Sequence, residues 1–155
     1  MIRALAATVA VLVLLAIPAA AMAPAPTPAA EGTTADMDYV RGVELIEDKR
    51  YAEAVTLLRL VVNRNPDNAD AWSRLGFAAR KSGDRRNGEL YYGKALALDP
   101  GHRATMEYLG EMYLESGRPD LARTMLARLA EACPDGCEPR AELEAAIAAF
   151  EARKQ

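Results

Sequence analysis

Between residues 36 and 136 the small and apolar positions return every 34 residues: Gly42, Gly76 and Gly110 are so spaced, and so are Pro66, Pro100 and Pro134. In the same phase Ala54, Gly88 and Ala122 are small, Leu58, Tyr92 and Leu126 are large, and Val61, Ala95 and Leu129 are apolar. Self-similarity at one fixed period marks a repeat, and this unit is two helices long. Each unit is cut in the middle. Gly83 follows Ser82 and precedes Asp84, a left-handed helix end followed by an acidic N-cap. Gly117 repeats the signal after Ser116, and Pro119 then suits a first helical turn. The three prolines end the second helices. First helices are therefore expected near 36–48, 69–82 and 103–116, and second helices near 51–64, 85–98 and 119–132. Gly76 and Gly88 fall where neighbouring helices must approach too closely for a larger side chain. After the third unit, Pro139 suits another first turn, while Leu143, Ala146, Ile147 and Phe150 recur at three- and four-residue spacing. This last helix covers the final apolar face and turns Glu142, Glu144, Glu151 and Arg153 outward.

The second unit, with Trp72, Leu75, Gly76, Gly88, Tyr92, Ala95 and Pro100, resembles the tetratricopeptide repeat family. The third matches through Leu109, Gly110, Tyr113, Ala122, Leu126 and Pro134. The first matches through Gly42, Leu45, Ala54, Leu58, Val61 and Pro66, but Asp38 stands where Trp72 does and Arg41 where Leu75 does. The resemblance implies an all-α solenoid of three helix-turn-helix repeats, 36–68, 69–102 and 103–136, closed by a capping helix over 137–155. It also implies a concave groove, lined by the first helices, that holds a protein or peptide segment. Helical spacing then puts Tyr39, Val43 and Ile46 on the groove from the first repeat, Ser73, Arg74, Phe77 and Arg80 from the second, and Glu107, Tyr108, Glu111 and Leu114 from the third. Phe77, a large aromatic at the centre of the stack, fits the pattern of a binding hot spot. Each assignment has a structural counterpart. Tyr39, Val43 and Ile46 equally suit packing on a neighbouring helix or the Pro-Ala linker, and in the free protein Arg74 and Arg80 are expected to pair with Glu107 and Glu111 across the helix gap, an exposed interaction worth about 0–1 kcal/mol. The lysine and asparagine clamp with which some family members hold C-terminal carboxylates is absent.

Composition agrees with helix. Apolar residues are 51% of the 155, much of that alanine, and only 6% are aromatic. The formal net charge of −3 disfavours nucleic acid as a partner. Residues 1–21 resemble a secretory signal peptide: a short basic start, an uncharged apolar run, a break at Pro18, and small residues Ala19 and Ala21 before a cut ahead of Met22. The competing reading is a retained membrane anchor, since Ala4 to Ala23 is about long enough to span a bilayer. Either way the remainder is expected outside the cytoplasm, periplasmic or secreted. Residues 22–35, with alternating Pro and Ala, are expected to form an extended spacer.

Candidate chemistry is sparse. His102 is the single histidine, in the turn "DPGHR", and reads as an exposed turn residue near a helix start. No phosphate loop and no metal-binding His pair occur, and Glu142 and Glu144 lie on a solvated helix face, so neither an enzyme nor a cofactor is expected. Cys133 and Cys137 form "CPDGC". Outside the cytoplasm two cysteines this close point to a structural disulfide. The alternative is a thiol-active or metal-handling envelope protein, although the pair lacks the two further ligands of a zinc site.

Overall fold

The computed structural model describes residues 29–153, with side chains from Met37 onward, and within them the chain forms seven helices. They are α1 (Ala29–Glu47), α2 (Tyr51–Arg64), α3 (Ala69–Lys81), α4 (Arg85–Leu98), α5 (Arg103–Glu115), α6 (Pro119–Ala132) and α7 (Glu138–Ala152). The expected signal segment and the first residues of the expected spacer lie outside the described residues. One boundary differs from expectation. The second half of the Pro/Ala stretch is not extended, because α1 already begins at Ala29. Pro28 is the last proline before it, and the alanines that follow are the best helix formers available.

Local signals explain the turns. The Asn68 side chain accepts from Ala71 N at 2.9 Å to open α3, and Asp84 accepts from Asn87 N at 3.2 Å to open α4. Gly83 and Gly117 take φ values of 98° and 70° at the ends of α3 and α5. The equivalent place in the first pair is held by Lys49, at φ 60°, a conformation that costs a residue with a Cβ about 1–2 kcal/mol. His102 is not a bland turn residue. Its Nδ1 accepts from Thr105 N at 3.2 Å, capping α5, which fixes the proton on Nε2, and that nitrogen donates to Asp70 of α3 at 2.9 Å. Asp38, where the second repeat has Trp72, pairs instead with Arg64 and so ties α1 to α2.

Two apolar clusters stack end to end. Leu45, Ile46, Leu58, Val61, Val62 and Leu75 fill the first, and Tyr92, Met106, Leu109, Met112, Leu129 and Leu143 are prominent in the second. Phe77 packs against both. Within a pair the helices close on a glycine: a Cβ at Gly76 would lie 2.7 Å from the Tyr92 ring. The third pair breaks this rule. A Cβ at Gly110 would meet Leu143 of α7 at 2.6 Å rather than Leu126 of α6, so the last helix fills the place that the repeat's own second helix fills elsewhere. Leu126 is accordingly only half-buried. Cys133 and Cys137, the residues that end α6 and precede α7, are joined by a disulfide with Cα atoms 6.0 Å apart.

Curvature follows from which helices touch. α1 meets α3, α3 meets α5 and α5 meets α7, whereas among the described residues α2 and α4, or α4 and α6, do not meet. Side chains crowd on the first-helix side and splay on the other. The concave face therefore belongs to α1, α3, α5 and α7.

Candidate partner-binding groove

On α3, a 3.6-residue period places Ser73, Arg74, Phe77 and Arg80 toward this face, with Lys81 at its edge. The equivalent row on α5 is Glu107, Tyr108, Glu111, Leu114 and Glu115. An aromatic line runs across them. Tyr51 meets Phe77 edge-on at 6.4 Å between centroids, Phe77 meets Tyr108 at 4.9 Å, and Tyr108 meets Tyr92 at 6.4 Å. Arg74, half-buried, lies close to the phenol groups of Tyr39 and Tyr108; burial pulls its pKa down, but the two tyrosine oxygens outweigh this and leave it raised. Tyr39, Arg74 and Tyr108 thus line up across three neighbouring elements, α1, α3 and α5.

Several sequence-based assignments need correction. Ile46 and Leu114 belong to the apolar clusters, and Ser73 is buried. Phe77 is part of the helix-packing layer, with the Lys81 ammonium 5.4 Å from its ring centroid, so it is not a free groove-wall aromatic. Arg80 is not exposed. Its side chain keeps 2% of its accessible surface, and it donates to Glu111 at 2.8 Å, to both oxygens of Glu115 at 2.7 and 3.1 Å, and to the Tyr108 carbonyl at 2.9 Å. Burial disfavours its charge, yet the two carboxylates more than compensate and raise its pKa. They are pulled into place in return, and Glu115 is held below the ordinary carboxylate range by the Arg80 bond. Arg80 therefore joins α3 to α5. Glu115 and Lys81 were missed by the groove assignment, although they sit 34 residues apart at equivalent repeat positions, and Glu115 follows Glu111 by one helical turn.

Glu107 behaves differently. It keeps only 5% exposure yet makes no hydrogen bond or ion pair among the described residues. Burial first, then Glu111 and Glu142, push its pKa up to about 8, with Arg80 and Lys81 opposing. Glu142, exposed on α7, had looked like one carboxylate of a solvated face. Its partner in this cluster is invisible without the packing of α7 on α5. Next to it, a depression of about 490 Å3 opens between α3, α5 and α7, bounded by Lys81, Leu114, Glu115, Ala146 and Phe150 among others. Val43 of α1 is half-buried. The cysteines lie outside this lining.

Comparison with known proteins places this architecture. Residues 79–149 match the family model of the tetratricopeptide repeat. The peroxisomal targeting signal receptor of Saccharomyces cerevisiae is 33% identical over 94 residues, which are 60% of this chain and 15% of the receptor, so the chain spans a small part of that relative. Among solved structures, the Yersinia enterocolitica type III secretion chaperone SycD, in complex with a peptide of the translocator YopD, superimposes with a TM-score of 0.70 at 15% identity, over 79% of this chain and 96% of SycD. The Sgt2 tetratricopeptide domain of Aspergillus fumigatus gives 0.68 at 19% identity, over 83% of this chain and 81% of that domain.

Proposed function

We propose that this chain, whose residues 79–149 match the tetratricopeptide repeat model, is a non-catalytic scaffold that holds a protein or peptide segment along the face of α1, α3, α5 and α7. The observation that carries this reading is the half-buried row of Tyr39, Arg74 and Tyr108 across three neighbouring elements, continued by the Phe77–Tyr108 ring contact at 4.9 Å. It presents half-buried aromatic and guanidinium surface on the concave side, the side-chain types most enriched at binding hot spots. The peptide in the SycD complex supports the same use of a similar fold. Export and cleavage before Met22 are part of the proposal: the signal-like residues 1–21 and the Cys133–Cys137 disulfide both suit an oxidising compartment.

Photo-crosslinking in cells tests the groove. A benzophenone amino acid at Val43 or Arg74 is expected to capture a discrete partner. The same group at Leu60 or Leu90, exposed on α2 and α4, is expected to capture none. Equal capture from both sets would sink the assignment. The intact mass of the recovered protein tests export separately, since a cleaved chain starts at or near Met22.

A further inference from the structure

A largely buried glutamate normally has a partner, because an unpaired buried charge is costly. Glu107 is 5% exposed as a residue and makes no hydrogen bond or ion pair among the described residues, and its carboxylate oxygens, which are not among the fully buried unpartnered atoms, keep contact with solvent. The nearby cations are already engaged: Arg80 is shared by Glu111, Glu115 and the Tyr108 carbonyl, and the Lys81 ammonium stands over the Phe77 ring. A second unmet group lies at the same place. The Tyr92 hydroxyl is fully buried without a hydrogen-bond partner, and the charges that act on it are those of Arg80, Tyr108 and Glu107. Tyr108 in turn feels both Glu107 and Glu142. Two carboxylates and the Tyr92 phenol group from α4, α5 and α7 thus lie near one another, and none of them has a hydrogen bond or ion pair among the described residues.

We propose that the segment held in the groove delivers a basic side chain, Lys or Arg, to Glu107 and Glu142, with its aliphatic stem lying along Tyr108. This rests on the groove reading and adds the chemistry of the partner. An ammonium has three donors and a guanidinium five, enough to serve both carboxylates. A long side chain can cover the aromatic ring while its charged end reaches the acids. A neutral or acidic residue in that place would leave Glu107 as unpaired as it is in the free protein. Binding should also be linked to protons. The groups that face Glu107 are Arg80 and Lys81 from α3, Tyr92 from α4, Tyr108 and Glu111 from α5, and Glu142 from α7. With Glu107 pushed up to about 8, an arriving cation favours its ionised form and drives off a proton, so affinity rises with pH up to about that value.

The test selects binders from a library of random twelve-residue peptides displayed on phage, using the protein as recovered from cells, and measures synthesised winners by calorimetry. Peptides that crosslink to position 74 are expected to share a Lys or Arg. Replacing that residue by norleucine, or Glu107→Gln in the protein, is expected to weaken binding at least about ten-fold at pH 8.5. Wild-type affinity should rise between pH 6 and 8.5, and the Glu107→Gln profile should be flat. Glu142→Lys, an exposed change that cannot disturb the core, should abolish the binding. Groove-crosslinked peptides without a shared basic residue, bound equally by both Glu107 forms, overturn this inference and leave the groove reading standing. Winners that never crosslink to the groove overturn both.

Discussion

Replacing Glu107 by Gln removes one ionisation from the floor of the groove and leaves its shape nearly unchanged, so the effect on folding isolates the cost of that charge. The carboxyl titrates near 4.5 in an unfolded chain and near 8 in the folded one. Its folded pKa is raised, so the native state holds a proton that the unfolded state gives up. The stability associated with that proton is complete below about pH 4.5 and is lost as pH rises toward and through 8. Discounted for the solvent that its oxygens still meet, the displacement corresponds to about 2–3 kcal/mol once ionisation is complete, most of it already lost by pH 7. Gln carries no such penalty. Urea unfolding at pH 5, 7 and 9 is expected to show wild type and Glu107→Gln within about 1 kcal/mol of each other at pH 5, with the variant increasingly more stable up to pH 9 at an unchanged dependence on urea. Parallel stability profiles over that range would refute the reasoning, because they would mean that Glu107 is solvated or paired.

Three further outcomes are expected. Lys49→Gly, at φ 60°, should raise stability by about 0.5–1 kcal/mol in thermal or urea melts, since the strain it relieves exceeds the added freedom of the unfolded chain. Arg80→Ala should lower stability by about 2–3 kcal/mol, somewhat below the cost of breaking a fully buried pair because Glu111 and Glu115 keep partial contact with water, and hydrogen exchange should locate the loosening between α3 and α5. Changing both Cys133 and Cys137 to Ser should cost about 2 kcal/mol by loop-closure entropy and speed exchange in α7 first, while peptide capture by the groove stays unchanged.

The helices were legible because their signals are local. Gly83, Asp84, Pro119 and Pro139 act on the backbone within a turn or two, and the 34-residue phase of Gly42, Gly76 and Gly110 carried those signals from one repeat to the next. Lys49 shows the limit of this logic. The first repeat makes the same left-handed turn without a glycine, because the packing of α1 on α2 outweighs a local cost of about 1–2 kcal/mol. Leu143 marks the same limit in packing. The repeat phase groups Leu126 with Leu58 and Tyr92, but a helix that follows the last repeat answers to no period, and its Leu143 takes the place beside Gly110 that Leu58 and Tyr92 take beside Gly42 and Gly76.

The electrostatics of the groove were less legible, for a reason of distance. A helical face says which charges share a surface, and so Arg80, Glu107 and Glu111 were all placed on the concave side. It does not say which of them meet. Arg80 reaches Glu111 and Glu115 because α3 and α5 lie in direct contact, and that choice leaves Glu107 without a cation. The group that α7 brings to bear on Glu107 is Glu142, which has the wrong sign to relieve it. A stack that spends its buried guanidinium on holding two repeats together and keeps an unpaired carboxyl beside them loses stability at neutral pH. Selection tolerates such a loss most readily where binding recovers it, and a cation supplied by the bound segment is the change that would do so.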